Sequence, residues 1–255
     1  MRYSPIRRTG AAAFVLLLAG CATTSAARDP RDPFEPLNRA TFAFNDALDR
    51  VAVRPVVRGY RRVAPQSVET GVSNFFANSK IPVTLFNDAL QGKFRAAIVD
   101  GSRFLLNTTL GIGGLFDPAS AAGLDRNDED FGQTLGHWGV STGPYLMVPL
   151  LGPYTLRDGL GTLADDFAHP RQYLGDASTR YALWAAEKLD RRARLLDADV
   201  VLQRTGDKYV FVRSAYLQRR EYQTLDGDVP IEAPPEEDSG PVPPAPAAAD
   251  AKPAS

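Results

Sequence analysis

A mainly α-helical single domain is what the sequence predicts, on three observations. Apolar residues recur at helical spacing in several short segments of the 255-residue chain, a length that one domain can use. No hydrophobic run beyond the leader is fit to cross a bilayer. Residues 131–156, FGQTLGHWGVSTGPYLMVPLLGPYTL, carry no formal charge. Yet Gly132, Gly136, Gly139, Gly143, Pro144, Pro149, Gly152 and Pro153 interrupt them too often for one spanning helix. Irregular apolar backbone is tolerated at membrane depth only where protein buries it or where it lines a cavity. The stretch is therefore either a buried glycine-rich connection or a loop held against a membrane.

Residues 1–20 read as a secretory signal, with Arg2, Arg7 and Arg8 ahead of an apolar run at 10–18. The run ends in Leu18-Ala19-Gly20-Cys21, a bacterial lipobox in form, so Cys21 is expected to be acylated and to begin the mature chain. Several acyl chains, palmitate among them, exceed what stable anchoring requires. Ala22 rather than Asp follows the cysteine, which in Gram-negative lipoproteins resembles an outer-membrane address. Cys21 is the only cysteine, so no disulfide within the chain is available, although an exported compartment would permit one. Removing the leader takes away three arginines and no acid, and moves the net charge from −1 to −4. That balance argues against a nucleic-acid partner. A lipidated tether at 21–31 leads to a body at 32–226, and the Pro/Ala/acidic tail at 227–255 lacks the apolar surface to fold.

Within the body, Leu37, Thr41, Phe44, Leu48 and Val51 predict a first helix after Pro36, with Phe34 and Phe42 beside them. Arg50, Arg54, Arg58 and Arg61 or Arg62 follow at steps of three and four. They would form a basic stripe, suited either to lipid phosphates or to water, and Pro55 is expected to kink or break the helix there. Residues 66–78 carry a second pattern through Val68, Val72, Phe75 and Phe76. Pro82 is expected to start a short separate segment with Leu85, Phe86 and Leu90, stopped at Gly92. Phe94, Ala97, Ile98, Leu105 and Leu106 predict a longer helix at about 93–107. The glycines at 111, 113 and 114 have neither the spacing nor the preceding strand of a dinucleotide site. Residues 125–130 read as an acidic loop facing water. A loop at 167–176, broken by Pro170, precedes a helix capped by Ser178 or Thr179 and running to about 196. Its Tyr181 and Trp184 suit a headgroup-level belt or the core equally. Tyr209, Val212, Tyr216 and Arg219 or Arg220 predict a last helix at 209–222.

Two chemical readings compete with a non-enzymatic one. Gly139-Val140-Ser141-Thr142-Gly143 matches G-x-S-x-G, with Asp158 or Asp165 and then His169 in hydrolase order. That motif needs a strand before Ser141 and a helix launched after it. Gly136-His137-Trp138 makes a poor strand, and Pro144 and Pro149 leave no room for the helix. Asp165, Asp166 and His169 match no zinc spacing. The expectation is no catalytic residue, no metal and no cofactor.

The chain closely resembles the MlaA/VacJ outer-membrane lipoproteins. The resemblance runs through Asp32-Pro33-Phe34-Glu35, Asn38-Arg39, Phe42, Phe44-Asn45 and Arg54-Pro55, then Asn74-Phe75, Asn87, Gln91-Gly92, Arg103-Phe104, Asn107-Thr108, Gly111, Gly113-Gly114 and Asp117. It is densest at residues 131–139, Gly143-Pro144-Tyr145, Pro149 and Gly152-Pro153 with Arg157-Asp158, and it closes with Asp207-Lys208-Tyr209, residues 213–216 and Arg219. It implies amphipathic helices closed into a ring in the periplasmic-side leaflet of the outer membrane, around a polar-lined channel. It further implies removal of phospholipid from the outer leaflet and its transfer to a periplasmic lipid-carrier protein, in complex with trimeric porins. A structural porin-associated lipoprotein is the alternative. Residues 145–151 are expected to form a stiff apolar loop on glycine joints at Gly136, Gly139 and Gly143, bordering and gating the channel, with Pro144, Pro149, Gly152 and Pro153 setting its shape.

Overall fold

Helix α1 (Glu35–Leu48) passes through one π-helical turn (Asp49–Val53) into α2 (Arg54–Val63) in the computed structural model, which describes residues 29–229. The signal, Cys21 and residues 230–255 of the tail lie outside the described residues. Pro55 does not break this run. It sits at the start of α2, and the wide π-helical turn before it absorbs the change of register.

Pro82 does not divide the next segment either. α3 (Gln66–Leu90) is one 25-residue helix containing it. α4 (Phe94–Thr109) turns back along α3 after Gly92, whose φ is +74°. The two touch at both ends: Asn78 Nδ2 donates to Thr108 Oγ1 at 3.0 Å, while Asp88 and Asp100 meet near the turn. Packing along that length outweighs the roughly 3 kcal/mol that an interior proline costs a helix.

The short helices α5 (Pro118–Ala121) and α6 (Phe131–His137) follow. Strands β1 (Tyr145–Val148) and β2 (Gly152–Thr155) then pair antiparallel, Tyr145 opposite Thr155 and Val148 opposite Gly152. The apolar loop expected at 145–151 is thus a β-hairpin, and only residues 149–151 form its turn. Helix α7 (Leu156–Ala168), a 3₁₀ turn (Pro170–Tyr173), α8 (Ala177–Arg194), α9 (Asp199–Arg204) and α10 (Lys208–Thr224) complete the body. Asp176 caps α8 by accepting the Thr179 N–H at 2.8 Å, displacing the cap expected at Ser178 or Thr179. Residues 125–130 are only partly a water-facing loop: Glu129 is buried against Gln91 and Lys93, and Asp130 caps α6.

The helices are amphipathic with the usual sides exchanged. On α4 the buried residues are Asp100, Arg103 and Asn107, while Phe94, Ile98 and Leu105 are 64–71% exposed. On α7 the buried ones are Arg157, Asp158 and Gly161, and Leu156, Leu160, Leu163 and Phe167 form the exposed stripe. Steps of three and four place each set on one face. The buried hydrophobic cluster is small, Tyr145, Met147, Tyr209 and Leu217, where the hairpin meets α10. Among the described residues no helix is long and apolar enough to cross a membrane.

Candidate functional site

The interior is held by charged and amide side chains in two main junctions. At the first, α1 presents Asn38 and Asn45, seven residues apart and so on one face. Asn38 donates to the Tyr145 carbonyl at 3.0 Å and accepts the Met147 N–H at 2.8 Å. Asn45 donates to the Val148 carbonyl at 3.0 Å and accepts the Leu150 N–H at 2.9 Å. Two side-chain amides thereby take the place of a third strand along the open edge of β1, whose backbone groups would otherwise lack partners. Asp32, fully buried, receives the Asn38 amide at 2.8 Å, Arg213 at 2.8 Å and the Tyr209 hydroxyl. Arg39 lies 4.6 Å over the Tyr209 ring and grips Asp207, and Phe42 meets the same ring edge-on.

The second junction is centred on Arg220. Its guanidinium donates to both oxygens of Asp158 (3.0 and 2.8 Å) and both of Asp130 (2.7 and 2.9 Å). Tyr216 adds a 2.7 Å bond to Asp158. Burial alone would raise the Asp130 pKa, but Arg220 holds it down at about 2. Arg157 reaches Thr224 at 3.0 Å and the Val140 carbonyl at 3.3 Å, tying the end of α10 to the glycine-rich segment.

Gly139, Gly143 and Gly152 have φ of +86°, +70° and +92°, so the segment does use conformations that glycine permits. Gly136 is different. It is helical, and a Cβ there would fall 2.4 Å from Thr224 and 2.5 Å from Arg157, so glycine allows close approach there and supplies no joint. Pro144 precedes β1, Pro149 opens the hairpin turn and Pro153 lies within β2. The exposed hairpin tip carries Leu150 and Leu151, and Phe44 is exposed on α1.

The basic stripe is largely spent within the protein. Arg50 pairs with Asp46, Arg54 with Asp49 and Asp199, and Arg61 with Asp197, while Arg58 and Arg62 remain exposed. Tyr181 is exposed, and Trp184 is half-buried beneath Lys188. Two cavities have no signature in the sequence. One, about 350 Å³, lies between α3, the end of α4, the 3₁₀ turn and α8. Phe75, Phe76, Phe104, Leu174 and Leu183 give it apolar walls, and the lining is almost wholly apolar although His169, Arg171 and Glu187 border it. The other, about 710 Å³, opens beside Lys93, Arg95, Arg126 and Glu129. Helical spacing marked Phe75 and Phe76 only as apolar surface, and His169 and Arg171 stand in a segment read as a loop.

Ser141 has helix α6 before it and strand β1 after it, the reverse of the strand–serine–helix order that a nucleophile elbow needs. Asp165 serves structure: it accepts the Phe131 N–H and the Asn87 amide, and burial raises its pKa to about 6. Among the described residues no three metal-ligating side chains converge.

Known proteins place this arrangement. The intermembrane phospholipid transport system lipoprotein MlaA of Escherichia coli (strain K12) is 39% identical over 229 residues, 88% of this chain and 91% of its own length. The protein of the same name from Haemophilus influenzae is 32% identical over 222 residues, covering 83% and 88%. A solved chain, described under the structural basis for maintenance of bacterial outer membrane lipid asymmetry, superposes with a TM-score of 0.70 at 39% identity, over 77% of this chain and 100% of that one. The profile of the MlaA lipoprotein family matches residues 30–223, and the chain belongs to that family.

Proposed function

We propose that this protein moves phospholipid between membranes and so maintains the lipid asymmetry of the outer membrane. The observation that carries this reading is the exchange of faces: helices that hide Arg103, Asp158 and Arg220 while exposing Phe94, Ile98, Leu160 and Phe167 suit a lipid surround and a polar interior. The relatives' names point the same way. Cys21 supplies the anchor in the periplasmic-side leaflet, the apolar stripes hold the body in acyl chains, and headgroups pass by the polar interior without any bond being made or broken. Phospholipid leaves the outer leaflet for a periplasmic carrier protein, and trimeric porins hold the lipoprotein at that boundary. The hairpin borders the path, and its position sets passage.

Deletion of the chromosomal copy should raise surface-exposed phospholipid, reversed by the wild-type protein. Unchanged asymmetry would overturn the proposal in favour of a structural porin partner. Ser141→Ala should leave asymmetry intact, and release of fatty acid by purified protein would restore the hydrolase.

A further inference from the structure

The second cavity lies where the described chain ends. Asp226 and Gly227, with φ of +52° and +86°, turn the backbone out of α10, and the Gly227 N–H donates to the Tyr222 carbonyl at 2.9 Å. Lys93, just before α4, grips the Asp226 carboxylate and pins that turn. Asp226 and Lys93 both line the cavity of about 710 Å³, so the chain beyond Val229 departs from its rim.

Charge around that rim is not answered pair by pair. Lys93 bonds Glu129 at 3.0 Å as well as Asp226. Arg126 shares the Asp117 carboxylate with buried Arg103, which takes both of its oxygens at 3.1 Å. Arg95 is exposed and has no carboxylate partner among the described residues. Asp125 is the opposing charge in the lining, and it too is exposed. Two outward guanidiniums on one open cavity suit a pair of carboxylates.

The sequence that departs there supplies them. Residues 230–255 carry Glu232, Glu236, Glu237, Asp238 and Asp250 against Lys252 alone. Glu236, Glu237 and Asp238 are consecutive, and Pro234-Pro235 just before them restrict the backbone, which lowers the entropy lost on docking. The stretch from Val229 to Glu236 spans about 20 Å when extended, enough to turn back over the cavity. A tether this short also keeps the acids at high local concentration, so exposed ion pairs that are weak alone act together.

We infer that residues 236–238 dock in this cavity, their carboxylates accepting from the Arg95 and Arg126 guanidiniums. The tail is then a strap from the end of α10 onto α4 and the loop at 123–129, and any other anion entering there has to displace it. The inference stands apart from the transport reading, which would survive its failure.

The test uses full-length acylated protein in detergent, with Ala96→Cys in the cavity wall and Ser239→Cys beside the acidic run. Mild oxidation should link the two within one chain, read by mass spectrometry of the joined peptides. Salt at about 1 M, where the screening length is about 3 Å, should lower the yield at least about fivefold. Neutralising the run (Glu236→Gln, Glu237→Gln, Asp238→Asn) should do the same, and so should Arg95→Glu. Glu236→Lys with Glu237→Lys should restore the yield in the Arg95→Glu background, and Asp125→Asn should raise it above the starting level. Arg95 and Asp125 are exposed, so none of this threatens folding. No link, a link indifferent to salt or to the run's charge, or a failed charge swap overturns the inference. Alkylation of Ala96→Cys tests the rival occupants. It should be faster in a chain ending at residue 229 than in the full-length chain. Equal rates, or equal slowing of both chains by phosphatidylglycerol or by inorganic phosphate, would give the cavity to a headgroup or a free anion and not to the tail.

Discussion

Arg220 shows how much of the interior rests on single charges. It answers two carboxylates at once, buried Asp158 and half-buried Asp130, through bonds of 2.7–3.0 Å. Arg220→Met should cost about 3–5 kcal/mol, because Asp130 loses both of its bonds to Arg220 and Asp158 is left with the longer Arg157 contact at 3.5 Å. Arg220→Lys should rescue little, since a point charge cannot serve both forks. Thermal melts in detergent and membrane abundance check this. Asp88 behaves in the opposite sense. Burial, then the neighbouring Asp100, raises its pKa from 3.8 to about 7, so its contribution to stability is complete below 3.8 and is lost as pH rises through about 7. Asp100 shifts upward as well, and Asn127, Glu129, Arg103 and Asp128 are the other polar groups facing the pair. Wild-type melting temperature should therefore fall between pH 5 and 8, and Asp88→Asn should flatten that fall and exceed wild type at pH 8 by more than about 1 kcal/mol. A profile that is parallel in the two proteins would count against the pair.

At the scale of elements, the hairpin is the part that the sequence concealed. A four-residue strand with prolines at 149 and 153 offers too short an alternation to register, and its outer partner is two asparagines, not a strand. Asn38 and Asn45 belong to the family pattern in the sequence, but their geometry becomes visible only once α1 and β1 are side by side. Asn38→Ala should cost about 2–3 kcal/mol through two buried backbone groups left unpaired, and Asn45→Ala about 1 kcal/mol at its more open site. If the hairpin gates passage, paired cysteines tying residues 149–151 to a neighbouring helix, with Cys21 kept, should put phospholipid on the cell surface when oxidised and restore asymmetry when reduced. Full transport with the crosslink formed would remove the gate. The helices α1, α3, α4, α8 and α10 are legible from periodicity, whereas α5, α6, α7 and α9 are not anticipated by it. The joins are not legible either: Pro55 and Pro82 look like breaks in one dimension, yet a π-helical turn carries the chain past the first and packing against α4 past the second.

For the whole molecule, the periodic pattern revealed which residues share a helix face but not which face turns inward. Phe94, Ile98 and Leu105 on α4 have the spacing of an ordinary core stripe, yet they are the exposed side. Only the position of Asp100, Arg103 and Asn107 between α4 and its neighbours reveals the exchange. Charges placed on the outer stripe test it. Ile98→Glu with Leu105→Glu should leave melting in detergent within about 1 kcal/mol but weaken membrane retention, while a protein that hid this stripe in a core would unfold.

Those outward stripes also bear on how the chain arrives. In water the hydrophobic effect draws Phe94, Ile98, Leu160 and Phe167 towards one another and away from the positions in which they end. The solvent that drives most proteins into their native shape drives this one towards clumping. On the proposed route to the outer membrane, the chain is therefore most at risk in aqueous space, and whatever escorts it there must cover those stripes.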